Sequence, residues 1–318
     1  MGYMDSGSWV IGDATPDTKS FVRKPSTFRS FVASGSNFEP ASGRYHLFAS
    51  LTCPWACRTL IVRSLKGLEN AIPMTLVHSD PDMGWTVDDG ESDLPEEIRH
   101  IYELYRMADP VFSGRVTVPV LWDTKNRTIV NNESAEIIVM LNRAFDQWGD
   151  SSVDLYPEQL IPEIDRINDL VYDGLNNAVY RAGFSTDQAA YEEAVTKVFE
   201  TMDFLEDRLK SSRYLVGDQL TLADVRLFTT GIRFDLVYFG HFKCNLRQWC
   251  SYPNLWAWLR DLYQNKKIMD TVNFDVMKRG YYTAHKRINP SGIVPLGPKL
   301  DFLLPHSREK LAQEVRAT

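Results

Sequence analysis

Tyr45-His46-Leu47-Phe48-Ala49-Ser50-Leu51-Thr52-Cys53-Pro54-Trp55-Ala56-Cys57-Arg58 is the stretch on which the fold turns. Its first six residues are a short strand-like run and Thr52-Cys53-Pro54 makes a turn. Cys57, Leu60, Ile61 and Leu65 then recur at helical spacing. The order is strand, turn, helix. Pro54 suits the first helical position, because the N–H it lacks would have no partner there. Cys53 therefore falls at the N-cap, where open backbone amides and the positive end of the helix dipole favour a thiolate over a thiol. Thiolates attack disulfides and thioethers, so Cys53 is the candidate nucleophile. Cys57 lies one turn on along the apolar stripe and reads as packing, since two cysteines so spaced on one helix do not easily reach disulfide geometry.

Working outward, Gly67 stands where a left-handed helix stop is wanted. Met74–His78 reads as a second strand that completes a βαβ unit with parallel strands. A polar loop over residues 80–97, containing Trp85, and a short helix near 96–107 follow. Val118-Pro119-Val120-Leu121-Trp122 and Arg127-Thr128-Ile129-Val130 then form a hairpin around Asp123–Asn126, before a helix from Glu133 to about Phe145. Beyond Pro157 the strands stop, and residues 187–210, 222–239 and 253–263 carry helical spacing. Thr221-Leu222-Ala223-Asp224 is a capping box with a structural role, and Trp249, Trp256 and Trp258 read as core. Residues 1–44 read as an irregular arm anchored by Trp9, Phe21, Phe28, Phe31 and Phe38. The Pro- and Gly-rich stretch after Gly280 reads as an extended surface tail. The expected divisions are an arm (1–44), an α/β domain (45–150), an all-α domain (151–285) and a tail (286–318).

The 318 residues suit two domains of about 150 each, and 44% hydrophobic with 24% charged residues is ordinary globular composition. Thirty-five Lys and Arg against 42 Asp and Glu give a net charge of −7 with no long basic run, so no nucleic-acid partner is expected. Met1-Gly2-Tyr3-Met4-Asp5 has neither a basic nor an apolar leader segment, and no apolar run reaches the ~20 residues of a membrane helix. The expectation is a soluble protein of a cytoplasm-like compartment. Four cysteines, at 53, 57, 244 and 250, suit neither a disulfide framework nor a zinc site, so no metal is expected. Nor does any Gly-rich phosphate loop offer to hold a flavin or a nicotinamide.

Two further features bear on a ligand. The residue before Pro119 is pushed extended, so Val118 can pair through its backbone with a peptide-like ligand, although an edge-strand proline reads the same way. Glu133-Ser134 opens a helix, where a hydroxyl and amides suit a carboxylate and the Glu can answer an amine, although this is also an ordinary helix start. Thiolate, strand-like edge and carboxylate-plus-amine site together are what a γ-glutamyl tripeptide thiol needs.

Tyr45–Arg58, Ser113–Asp123 (SGRVTVPVLWD), Asn132–Ile138 (NESAEII), Val179–Phe184 (VYRAGF) and Ile288–Gly292 (INPSG) together resemble the glutathionyl-hydroquinone reductases, the Xi class of glutathione transferases. The resemblance runs from about Trp9 to Pro305, and YYTAHKRINPSGIVPLGP is its most family-specific part. It implies a thioredoxin-like N-terminal domain with a cis-proline at Pro119, followed by an all-helical glutathione-transferase C-terminal domain, assembled as a homodimer. By the same resemblance Cys53 is the nucleophile and Trp85, Arg115, Val118, Glu133 and Ser134 contact glutathione, a co-substrate. Tyr180 and Tyr281 are then catalytic residues of an aromatic-substrate pocket. Taken alone, Trp85 reads as a loop anchor, Arg115 as a surface charge and the tyrosines as core edges. Many members carry His where this chain has Cys57. Tyr282 follows Tyr281 directly, and the alignment of YYTAH selects Tyr281. The implied activity is ping-pong reduction of glutathionyl-hydroquinones through a Cys53–glutathione mixed disulfide. An omega-like thioltransferase or dehydroascorbate reductase would use the same cysteine without the aromatic pocket, and a non-catalytic scaffold would carry an ordinary thiol. Cys53→Ser is predicted to abolish turnover while the circular dichroism and the melting temperature of the protein stay as they are.

Overall fold

A hairpin of β1 (Tyr3–Asp5) and β2 (Ser8–Val10) begins the computed structural model, which describes residues 2–12, 25–88 and 98–314. Ser6 and Gly7 form its two-residue turn, both at positive φ, the geometry that matches strand twist. The N-terminal arm is therefore not irregular throughout; three-residue strands are too short for alternation to show in a sequence. Of the arm's expected anchors, Trp9 stacks on Tyr102 at 4.8 Å and Phe28 meets the ring of Tyr105 edge-on at 5.6 Å. Phe31 is exposed, and Phe21 lies outside the described residues.

The described chain divides into two units, one ending at Val153 and the other running from Asp154. After the hairpin, the first unit consists of β3 (Tyr45–Ala49), α1 (Pro54–Leu65), β4 (Met74–Leu76), β5 (His78–Asp80), β6 (Gly84–Thr86), α2 (Ile101–Ala108), β7 (Val120–Asp123), β8 (Thr128–Asn131) and α3 (Ser134–Arg143). Four strands make one sheet in the order β4-β3-β7-β8. β3 is parallel to β4 and antiparallel to β7, which is antiparallel to β8. This is the thioredoxin-like arrangement. Every residue of β3 and β7 is buried, which is why they read as unbroken apolar runs. The polar groups among them are answered: His46 Nε2 lies 2.8 Å from Thr75 Oγ1, and Asp123 accepts two bonds from Arg44 at 2.9 and 2.6 Å. Helix α1 stops at Gly67, at φ +63°, with the amides of Gly67 and Leu68 bonded back to Ser64 and Arg63.

Two expectations need correction here. The strand expected over Met74–His78 divides at Val77, and β5 turns away from the main sheet to pair with β6. Trp85 thus sits on a strand rather than in a loop. The polar composition concealed the tight turn between them, which Asp80 Oδ1 holds by accepting from the amides of Asp82 and Met83 at 2.8 and 2.7 Å. Likewise β7 starts at Val120, after Pro119, which has no N–H to give a ladder. The expected helix near 96–107 is α2; residues 89–97 lie outside those described.

Beyond Val153 the described elements are helical: α4 (Ile161–Val171), α5 (Ala178–Phe184), α6 (Gln188–Arg208), α7 (Leu222–Arg233), α8 (Pro253–Tyr263), α9 (Lys266–Met269), α10 (Phe274–Ala284) and α11 (Glu309–Glu314). Single π-helical turns follow α4 (Tyr172–Asn176) and α7 (Phe234–Tyr238), so the helix expected over 222–239 changes pitch after Arg233. Trp249 and Trp258 are buried core residues. The tail is extended from about 291 to 305, but it ends in α11 and is anchored rather than merely laid on the surface. Phe302 is buried, and Gln264 Nε2 donates to the carbonyls of Phe302 and Leu304. Arg308 donates to Leu209 O beyond the end of α6. Among the described residues no helix is long and apolar enough to cross a membrane.

The capping box forms at the start of α7, and its acid does more than cap. Asp224, fully buried, accepts from Thr221 N at 3.0 Å, Leu215 N at 2.9 Å and Trp258 Nε1 at 2.9 Å. Asp224→Ala would leave these three buried donors and the Thr221 hydroxyl, which also donates to it at 3.1 Å, without that partner, and we expect a loss of about 3 kcal/mol or more in urea unfolding, with Asp224→Asn milder.

Candidate active site

Cys53 is the N-cap of α1 with φ −80° and ψ 118°, Pro54 is the first helical residue, and Cys57 N donates to Cys53 O at 3.0 Å to open the helix. The first turn holds no acidic side chain, so no carboxylate on it opposes a thiolate at the positive end of the dipole. The half-buried Sγ lies 3.6 Å from the carbonyl oxygen of Val118, whose bond to Pro119 is cis. The structure therefore brings Cys53 and Val118 together.

Glu133 and Ser134 stand at the start of α3. Glu133 caps it, Oε1 accepting from Ala135 N at 3.2 Å, while Oε2 accepts from Ser26 Oγ at 2.9 Å. Ser134 is fully buried; its Oγ is 3.5 Å from Arg58 Nη1 and 3.4 Å from Glu133 Oε1. The hydroxyl accepts from Arg58 and donates to Glu133, so it links the guanidinium to the carboxylate that caps α3. The Arg58 guanidinium, itself buried, lies 4.4 Å from the centre of the Trp55 ring, so this side chain joins the opening turns of α1 and α3.

Trp85 lies on β6 with 8% of its surface exposed, and Arg115 is exposed on the segment leading to Val118. Both neighbourhoods are braced by the N-terminal hairpin: Met4 exchanges two backbone bonds with Gly114, at 2.9 Å each, and the Trp9 ring packs on Gly84, beside Trp85.

In the second unit the hydroxyls of Tyr180 and Tyr281 are 2.5 Å apart, and Tyr238 reaches the same Tyr281 oxygen at 3.1 Å. Burial pushes the Tyr281 hydroxyl well above its ordinary pKa, so it keeps a proton to donate at neutral pH. Tyr282 instead faces His241, ring centres 4.5 Å apart. The approach of Phe242 to Gly183, in the VYRAGF stretch, admits no side chain at that position: a Cβ there would fall 2.2 Å from the Phe242 ring.

The family model described as "Glutathione S-transferase, N-terminal domain" matches residues 52–144, and the corresponding C-terminal domain model matches residues 188–261. Over 306 residues the chain is 49% identical to glutathionyl-hydroquinone reductase PcpF of Sphingobium chlorophenolicum, covering 94% of this chain and 96% of that one. The chain belongs to the Xi class of glutathione transferases. A Xi-class enzyme structure from Natrialba magadii superposes with a TM-score of 0.92 at 45% identity over 98% of both chains. The glutathione-bound structure of YqjG, a glutathione transferase homologue from Escherichia coli K-12, does so with a TM-score of 0.89 at 46% identity, over 97% of this chain and 99% of that one.

Cys57 is 2% exposed, its Sγ 3.5 and 3.3 Å from the carbonyls of Ser50 and Leu51. That is a packed thiol, as its place on the apolar stripe indicated. Burial pushes Cys244 up to about 12 and Cys250 up to about 11, so both stay protonated at neutral pH. Sequence reasoning missed Arg58, Tyr105, Asn132 and Tyr238, all polar groups on apolar faces or in aromatic runs, where nothing distinguishes them from packing. We predict that iodoacetamide at pH 7 adds one carbamidomethyl group per chain, on Cys53 by peptide mass mapping, and that Cys244 and Cys250 react only as the pH is raised towards 10 and beyond.

Proposed function

We propose that this Xi-class chain is a glutathionyl-hydroquinone reductase, a glutathione-dependent thiol enzyme in which Cys53 is the nucleophile. The observation that carries the reading is the half-buried thiol at a proline-opened helix N-terminus, 3.6 Å from a carbonyl beside a cis-proline, in a chain 49% identical to a named glutathionyl-hydroquinone reductase. Cys53 thiolate attacks the sulfur of the aryl-bound glutathione. The carbon–sulfur bond breaks, the ring carbon takes a proton and leaves as hydroquinone, and a Cys53–glutathione disulfide forms. A second glutathione thiolate attacks that disulfide, releasing oxidised glutathione and restoring Cys53. Glutathione is thus the reductant, and thiol chemistry alone closes the electron balance.

Val118 and the α3 start at Glu133 and Ser134 are assigned to the glutathione backbone and its γ-glutamyl end, with Trp85 and Arg115 completing its contacts. The glutathione-bound YqjG structure supports a glutathione site in this class. Tyr180 and Tyr281 are assigned the proton and the hydrogen bonds that the departing hydroquinone needs; the shared 2.5 Å bond and the protonated state of Tyr281 support that role. We assign the protein to the cytoplasm as a homodimer. Four cysteines, none of them in a disulfide, suit a reducing compartment.

Intact-protein mass after mixing with a glutathionyl-hydroquinone, followed by added glutathione, tests the chemistry. Wild type should gain one glutathione, release hydroquinone and turn over when glutathione is supplied, while Cys53→Ser does none of these. Tyr281→Phe should still form the mixed disulfide, at least about tenfold more slowly. Dehydroascorbate reduction exceeding hydroquinone release would replace this reading with a thioltransferase.

A further inference from the structure

One phenol oxygen joins the two backbone stretches assigned above to glutathione. Tyr105, on α2, is fully buried, its ring held between Phe28 at 5.6 Å and Phe112 at 5.1 Å. Its hydroxyl donates to Thr117 O at 2.9 Å and accepts from Thr117 N at 3.2 Å and from Asn132 Nδ2 at 2.9 Å. A phenol has one proton to give and two lone pairs to take, so its hydrogen-bonding capacity is used in full. Thr117 directly precedes Val118 and Pro119; Asn132 directly precedes Glu133 and Ser134.

The sheet itself does not fix these two segments against each other. The β7–β8 register is irregular between Leu121 and Trp122, the ladder reaches only the Leu121–Asn131 pair, Pro119 has no N–H, and the chain becomes helical at Ser134. Tyr105 supplies the cross-link where the ladder ends. Asn132 is held from its other side as well, its Oδ1 accepting from Phe28 N at 3.1 Å. Burial keeps the Tyr105 hydroxyl protonated, so the bond to Thr117 O persists at neutral pH.

We propose that Tyr105 is a positioning residue for glutathione, setting the spacing between the Val118 edge and the N-terminus of α3 through its bonds to Thr117 and Asn132. A peptide of fixed length that must meet both ends is sensitive to that spacing, and displacements of the order of 1 Å are enough to weaken binding and rate. The proposal rests on the glutathione reading of those two segments.

Tyr105→Phe deletes one oxygen and keeps the ring between Phe28 and Phe112. Against wild type, we expect KM for the glutathionyl-hydroquinone, whose glutathionyl part binds between these segments, to rise about tenfold or more, while alkylation of Cys53 by iodoacetamide, which needs no glutathione site, changes less than about twofold. Leu104→Val, a buried neighbour on the same helix, serves as the control for general destabilisation and should leave KM near wild type at a comparable fall in melting temperature. Asn132→Ser removes one arm of the cross-link and should raise KM in the same direction. It carries the test if Tyr105→Phe melts below the assay temperature. An unchanged KM in both variants, with only the melting temperature lowered, overturns the positioning role. A wild type that forms no glutathione adduct at all overturns the glutathione reading and the proposal together.

Discussion

The strand-to-helix turn at Cys53-Pro54 is the constraint on which the site depends. A strand buried at every residue delivers the chain to a helix whose first residue cannot donate a hydrogen bond, so the thiol arrives at a place where backbone amides face outward. Nothing about the cysteine has to be mobile or strained for this. The sheet fixes β3 against β7, and β7 follows the segment that sets the Val118 carbonyl at the sulfur. Cys53 is thus carried by the fully buried central strands of the first unit.

Recognition is distributed over groups that a sequence hides. The sequence of elements, the parallel pair, the stop at Gly67 and the helix opening at Glu133-Ser134 were legible because each rests on local rules: buried runs, a positive-φ glycine, a cap followed by an apolar stripe. The split at Val77, the N-terminal hairpin and the π-helical turns were not, since each is settled by hydrogen bonds a few residues long that leave the hydrophobic pattern unaltered. The place of Cys53 at the helix N-cap was legible from the turn and Pro54. Tyr105 and Arg58 were not, because a tyrosine or an arginine on a half-apolar helix reads as packing or as surface until its partners are known.

The second unit concentrates aromatic side chains around three phenols, and a π-helical turn is part of that arrangement. α7 ends at Arg233 and the next turn is wider, which places Tyr238 where its hydroxyl meets Tyr281. Inserted turns of this kind recur at functional sites because they re-aim one side chain without breaking the helix. The hydroxyls of Tyr180 and Tyr238 both lie within hydrogen-bond distance of one Tyr281 oxygen, and burial together with the two neighbouring phenols holds the Tyr281 proton in place.

The Arg308 contact sets an order of events. Arg308 donates to Leu209 O, Arg213 O and Ser212 O, carbonyls just beyond the end of α6. The cap of that long helix thus lies 99 residues downstream of Leu209. α5 and α6 are made one after the other and pack together, yet the carbonyls after α6 wait for a segment made much later. Closing that loop carries an entropy cost that grows slowly with its length. A chain stalled before Arg308 would hold its helices and leave those carbonyls open to water.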